Sequence, residues 1–268
     1  MSEIFHFTEG NTPLLISVPH CGTAIPDDIA ARMTTAALAR PDTDWHVEKL
    51  YDFAPWVGAG LITAKFSRYV IDLNRDPSGQ PLYPGADNSE LAPLRTFANE
   101  QIYQSGYEPD DAEIADRREF YWRPYHARLS AELERLVERF GIAVLWDGHS
   151  IEARVPRFFD GRLSDLNLGS AGGTSADPSL IAQVMGVLQT ANGFSSVLDG
   201  RFTGGFITRH YGQPELGIHA LQLEMAEIAY MEEGPAYAYD LARARPLKSV
   251  LQGIVATLID WAGARARR

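Results

Sequence analysis

The sequence predicts an α/β fold of three layers (αβα), with helices on both faces of a mixed, largely parallel central sheet. Three observations carry that expectation. Strand-like and helix-like stretches alternate along the chain, several helical stretches show a clear apolar stripe, and three separated apolar runs stop abruptly on a histidine or a carboxylate. These runs are Leu14-Leu15-Ile16-Ser17-Val18-Pro19-His20, Ala143-Val144-Leu145-Trp146-Asp147-Gly148-His149 and His219-Ala220-Leu221-Gln222-Leu223-Glu224. Short apolar runs bounded by Gly or Pro read as buried strands, so each delivers a metal-binding or proton-transferring side chain to a sheet edge, where clefts form. The combination points to a metal-assisted hydrolase.

In chain order, Pro19 favours an extended approach to His20 and Gly22 permits an unusual turn just after it, so the first strand opens into a loop at the imidazole. After Asp42-Thr43-Asp44-Trp45-His46, the residues Val47, Leu50, Tyr51 and Ala54 follow at helical spacing, which puts Thr43 or Asp44 at a helix start. Residues 67–75 alternate like a strand and deliver Asn74 and Arg75 to its end before Pro77 breaks it. Residues 76–118 mix Pro, Gly, Asn and acidic residues with isolated aromatics, the pattern of a long excursion or lid. A helix over 125–140 places Leu129, Leu133, Leu136 and Phe140 on one face, stops at Gly141 and leads into the strand ending at His149. Residues 151–176 are irregular, and a second helix then opens with Asp177 as cap and Pro178 in the first turn, carrying Leu180, Val184 and Leu188. Residues 204–212 read as a glycine-flanked loop, and a third helix begins at Pro246 with Leu247, Leu251, Ile254 and Leu258 inward.

Composition bounds the function. The chain has 268 residues, 45% hydrophobic and 22% charged, as in an ordinary globular protein with one large domain. Its 24 basic and 35 acidic residues give a net charge of −11, so the overall field repels nucleic acid and anionic membranes. An anionic substrate must therefore be captured by local arginines. The single cysteine, Cys21, excludes an internal disulfide, and the opening Met-Ser-Glu-Ile-Phe-His lacks the regions of a secretion signal, so a cytoplasmic protein is expected. No stretch approaches the roughly 18 to 20 apolar residues that cross a bilayer.

The chemistry starts at His20. A lone histidine is more often structural, but His149 ends a second buried strand, and two imidazoles plus a carboxylate form a usual catalytic zinc set. For Asp44, before a helix start, a role as third ligand and a role as N-cap weigh about equally, and His46 is the rival ligand. Asp147 is given at most a supporting role toward its neighbour, because adjacent strand residues point to opposite faces. Glu224 is flanked by apolar residues, where a carboxylate is costly to bury unless paired or used; it is read as the general base, with a structural ion pair as the alternative. Asn74 and Arg75 suit bidentate recognition of a carboxylate, Arg68 stands nearby, and Asp72 is read as its salt-bridge partner. In the 204–212 segment, Arg209 is read as binding a second carboxylate or an oxyanion, and His210 as a hydrogen-bond donor; packing of the loop is the alternative for His210 and Tyr211.

These residues also carry a resemblance. Ser-Val-Pro-His-Cys-Gly (17–22), Asp-Thr-Asp-Trp-His (42–46), Ser-Arg-Tyr-Val-Ile-Asp-Leu-Asn-Arg (67–75), Asp-Gly-His-Ser (147–150), Gly-Gly-Phe-Ile-Thr-Arg-His-Tyr-Gly (204–212) and Gln-Leu-Glu (222–224) resemble the N-formylglutamate amidohydrolase family nearly end to end. The resemblance implies a single zinc amidohydrolase domain over 1–268 that hydrolyses N-formyl-L-glutamate to formate and glutamate in histidine degradation. That family is similar in fold to zinc carboxypeptidases, a phosphorylase/hydrolase-like, zinc-exopeptidase-like architecture. Those enzymes take a glutamate three residues after the first histidine as a ligand, but Thr23 stands there in this chain, so Asp44 is assigned in its place. The implied site is Zn2+, or another divalent transition metal, on His20, Asp44 and His149, with Glu224 as base and a small dicarboxylate substrate held by Arg68, Asn74, Arg75, Arg209 and His210; Arg157 is in reserve. The competing readings are a zinc deacylase for another N-acyl amino acid or small peptide, a Cys21 or Ser150 hydrolase, and a non-catalytic binder of small acids.

Overall fold

The three apolar runs become adjacent strands at the centre of one sheet. In a computed structural model that describes residues 4–82, 85 and 87–266, the strands are β1 (Phe5–Thr8), β2 (Leu14–Val18), β3 (Gly60–Ala64), β4 (Ala143–Ile151), β5 (Leu166–Gly169), β6 (Ser196–Leu198) and β7 (Ile218–Ala226). They lie in the order β1-β3-β2-β4-β7-β5-β6. The central β3, β2, β4 and β7 run parallel, β1 and β5 are antiparallel to their neighbours β3 and β7, and β6 pairs parallel with β5. The helical segments are α1 (Asp27–Ala30), α2 (Thr35–Leu38), α3 (Val47–Leu50), α4 (Asp111–Arg117), α5 (Arg123–Phe140), α6 (Pro178–Gln189), α7 (Phe206–Tyr211) and α8 (Leu241–Gly263).

Strand alternation explains the layers. Ile16, Val144, Trp146, Leu221 and Leu223 turn to one face, where they meet Leu180 and Val184 of α6 and Leu247, Leu251 and Ile254 of α8. Leu15, Ala143, Leu145 and Ala220 turn to the other, against Leu129, Leu133 and Leu136 of α5 and Ile207 of α7. The expected three-layer α/β fold is thus formed, and among the described residues no helix is long and apolar enough to cross a membrane.

Several local expectations need correction. Residues 67–75 form turns rather than a strand. Their apolar pattern arises because Ile71 and Leu73 pack toward α5 while Tyr69 and Val70 pack toward Met33, Ala37 and Ile102, so the segment is buried on two sides. The final helix starts at Leu241, capped by Asp240 on the amides of Ala242 and Arg243, with Pro246 inside it. Pro246 forfeits one bond to the carbonyl of Ala242, an exposed residue, where water can replace it. Residues 206–211 form a helix, α7, bracketed by Gly205 and Gly212. In the 76–118 stretch, α4 begins at Asp111 on an Asp110 cap and passes through a π-helical turn, Arg118–Trp122, into α5.

Candidate active site

Polar side chains gather where β2 and β4 diverge. The chain leaves β2 toward β3 on one side and leaves β4 toward β5 and β6 on the other, so their carboxyl ends frame a topological switch point. The sheet register makes the floor: Ser17 is opposite Asp147, Asp147 opposite Gln222, and His149 opposite Glu224. Both β4 and β7 continue two residues beyond His149 and Glu224, so these side chains stand inside strands rather than at their ends.

Two imidazoles and a carboxylate converge over this floor. His20 and His149 are buried, with ring centroids 4.9 Å apart. Nε2 of His20 lies 2.7 Å from Asp72 Oδ1, and Nε2 of His149 lies 2.8 Å from Asp147 Oδ2. Each ring is thereby held by a carboxylate on its far side, and the Nδ1 atoms face Asp44 Oδ2 at 3.7 Å for His20 and 3.1 Å for His149. One ligand atom from each of His20, Asp44 and His149 lies within 4.8 Å of the others. Carboxylates that orient imidazoles from behind are the usual support of a metal-binding histidine.

Asp147 corrects the sequence argument about opposite faces. It lies two residues from His149, not one, so both point to the same side and Asp147 bonds the imidazole directly. Asp44 is not a helix cap: α3 begins at Val47 with His46 as the N-cap residue, and Asp44 Oδ2 instead accepts from Ser150 N at 3.1 Å. Its Oδ1 is buried without a hydrogen-bond donor among the described residues, with only Arg68 Nη1 at 3.6 Å. A buried carboxylate oxygen in that state, beside two inward Nδ1 atoms, fits a site for a divalent cation. His46, the rival ligand, is turned elsewhere: Nε2 is 2.7 Å from Tyr237 O and Nδ1 is 3.0 Å from Lys49 Nζ.

Gly22 serves His20 by close approach rather than by an unusual backbone angle. A Cβ there would lie 2.2 Å from Phe66 O, and the Gly22 φ is not positive. The segment after β2 can therefore lie against the chain beyond β3, which carries Arg68 and Asp72 to the imidazole.

Buried carboxylates and imidazoles set the electrostatics of this group. Burial by itself would lower His149, but Asp147 and Asp44 outweigh it and push the imidazole well above its ordinary value. Burial would raise Asp44 and Asp72, yet His20 and His149 hold Asp44 far below the carboxylate range, and Arg75, His20 and Arg68 do the same for Asp72. Nδ1 of His149, 3.1 Å from Asp44 Oδ2, must give up the proton it holds when an ion takes its place. Calorimetry in two buffers of different ionisation enthalpy is expected to show release of about one proton per zinc bound near neutral pH, with affinity rising with pH; identical heats in both buffers would remove His149 from the ligand set.

Glu224 lines the same cavity, of about 60 Å³, with His20, His149, Asn74, Arg68, Arg75 and Arg201. Burial, opposed in part by His149, pushes its carboxyl up to about 8. Asn74 donates to Asp147 Oδ2 at 3.4 Å and lies 3.0 Å from His149 Nε2. Arg68 pairs with Asp72 at 2.7 Å, as expected, and lies over the Phe97 ring at 4.8 Å. Arg75 is anchored by Ser89, at 3.1 Å to its carbonyl and 2.7 Å to its hydroxyl. Arg209 and His210 are placed apart from this cavity, in an adjoining depression with Asp76, Leu82 and Phe206. Arg209 donates to Gly204 O at 2.8 Å, and His210 stacks on Phe206 at 4.8 Å. Arg157 pairs with Asp87 through two bonds of 3.0 Å. Sequence reasoning missed Arg201 and Gln222 as cavity residues, and it gave Asp72 only the salt bridge. The nucleophile alternatives lose ground here: burial drives the Cys21 thiol well above its ordinary value, and the Ser150 hydroxyl bonds Tyr230 at 2.8 Å rather than a histidine.

Residues 12–231 match the family model described as N-formylglutamate amidohydrolase. The chain is 45% identical over 268 residues, covering 100% of both chains, to an N-formylglutamate deformylase of Pseudomonas putida. It is also 45% identical over 261 residues to one of Pseudomonas aeruginosa, covering 97% of this chain and 98% of that protein. The crystal structure of N-formylglutamate amidohydrolase from Ralstonia eutropha JMP134 superposes with a TM-score of 0.79 at 26% identity over 97% of each chain. A gene product of Agrobacterium tumefaciens shares the fold, with a TM-score of 0.71 at 16% identity over 96% of each chain. The chain therefore belongs to the N-formylglutamate amidohydrolase family.

Proposed function

We propose that this protein hydrolyses N-formyl-L-glutamate to formate and L-glutamate, as a step of histidine degradation, with a divalent ion held by His20, Asp44 and His149. The observation that carries the proposal is the joint placement of that buried donor set and Glu224 in one arginine-lined cavity. The names of its full-length relatives support the substrate. Zinc suits two imidazoles and one carboxylate, although another divalent transition ion can occupy such a set. When bound there, the ion supplies a Lewis acid that polarises an amide carbonyl and makes water more acidic.

The chain's own residues do the rest. Arg75, with Asn74 behind it, binds one substrate carboxylate. The role expected of Arg209 falls in this reading to Arg201, because Arg201 lines the cavity itself and Arg209 the adjoining depression. Glu224 takes a proton from the water that attacks the formyl carbon, then returns it to the amine nitrogen as the C–N bond breaks. A carboxyl whose own value is raised by burial, and lowered again by a nearby cation, exchanges protons readily near neutral pH.

Formate release from N-formyl-L-glutamate tests the proposal, measured against a panel of other N-acyl amino acids and after chelation. Rapid turnover of a different acyl amino acid with none of N-formylglutamate would overturn the substrate. Arg75→Ala is expected to raise KM about 10- to 100-fold while bound metal is unchanged. Loss of metal in that variant would show that Arg75 acts through Asp72 and His20 instead.

A further inference from the structure

The segment before α7 is pressed onto the sheet at two glycines. Gly169 stands opposite Gln222 in the β5–β7 register, and a Cβ there would lie 2.6 Å from Gly204 N and 2.8 Å from the Thr203 carbonyl carbon. A Cβ on Gly205 would lie 2.2 Å from Asn74 Nδ2. With both side chains absent, the backbone of 203–207 comes close enough to bond two buried amides.

Gly205 N donates to Gln222 Oε1 at 2.7 Å, and Ile207 N donates to Asn74 Oδ1 at 2.8 Å. A backbone N–H needs an oxygen opposite it, so each bond fixes which end of the amide is which. Asn74 must then turn its NH2 toward Asp147 and His149, and Gln222 must turn its NH2 toward Glu224, where it donates to Oε2 at 3.2 Å. Among the described residues, this is the one side-chain hydrogen bond of the Glu224 carboxylate, and it engages Oε2 and not Oε1. Gln222 is buried and lines the cavity beside Glu224.

We infer that Gln222 is a positioning residue for Glu224: fixed by Gly205, it pins one carboxylate oxygen and leaves the other for proton transfer. The inference rests on the reading of Glu224 as the proton-transferring group. The same clasp fixes Asn74, so one short stretch of backbone sets both the carboxylate and the support of His149.

A double-mutant cycle tests it, with formate release and bound zinc as readouts. Gln222→Met keeps the length but removes the donor, and Gln222→Asn keeps an amide that is one methylene too short to serve both partners. Each is expected to lower kcat about tenfold or more, with KM within about twofold and zinc retained. In the Glu224→Gln background, the same substitutions are expected to cost less than about twofold, because the residue they act through is already gone. Equal losses in both backgrounds would overturn the inference and leave Gln222 a structural residue. If Glu224→Gln alone keeps wild-type activity, the role of Glu224 fails instead, and the two failures are told apart. Should Gln222→Met fail to fold, Gln222→Asn carries the same comparison.

Discussion

Glu224→Gln is expected to lower the rate of formate release about a thousandfold while bound metal remains, within the usual range for removing a general acid-base group. The substitution preserves shape and removes only the proton chemistry. Glu224 is not among the three residues whose ligand atoms converge, so metal content should not follow activity. A second consequence concerns stability of the metal-free protein. The carboxyl is raised in the folded state to about 8, so the folded chain keeps a proton that the unfolded chain has already released. Stability therefore falls as pH rises from the ordinary glutamate value, about 4.3, toward the folded value. Gln removes that slope. Its gain in Tm over wild type should be larger at about pH 8.5 than at about pH 5, and an equal gain at both would mean that the glutamate is not held protonated.

His149→Ala is expected to abolish both metal binding and turnover, an effect at least as large. His149 has three side-chain partners in the site: Asp147 at 2.8 Å, Asp44 at 3.1 Å and Asn74 at 3.0 Å. Its removal takes away one of three donors and leaves Asp44 and Asp147 buried without the imidazole that offsets their charge. Truncating one partner of a buried charged pair typically costs about 3–5 kcal/mol, so a fall in Tm should accompany the loss of metal. Elemental analysis and thermal melting of the variant check both parts. Full metal occupancy in His149→Ala would place the ion elsewhere.

Much of this site was legible in the sequence for one reason: parallel strands present their carboxyl ends on one edge, so residues as distant as His20 and His149 meet there. Asp44 was harder, because an acid before a helix reads equally as a cap; only the start of α3 at Val47 separates the roles. The turns of 67–75 looked like a strand because the segment is buried on two sides, Tyr69 and Val70 toward one cluster and Ile71 and Leu73 toward another, whatever the backbone does. Arg209 and Arg201 both lie near glycines, and only the winding of α7 sends Arg209 to the adjoining depression. Gln222 carried a readable signal that went unused. A polar amide between Leu221 and Leu223 is costly to bury without partners, the same argument that singled out Glu224 two residues later. Gly169 and Gly205 were readable as glycines, but the backbone and side-chain atoms they admit belong to segments far away in sequence.

In the proposed mechanism, His20, Asp44 and His149 together hold one divalent ion that Glu224 works beside. Its most direct measurement is formate release by metal-stripped protein titrated with zinc. The stripped protein is expected to show no turnover, and activity to return linearly to a sharp break at about one equivalent. Full turnover in the stripped protein, or no recovery as zinc saturates it, would mean that no ion on His20, Asp44 and His149 takes part in the reaction.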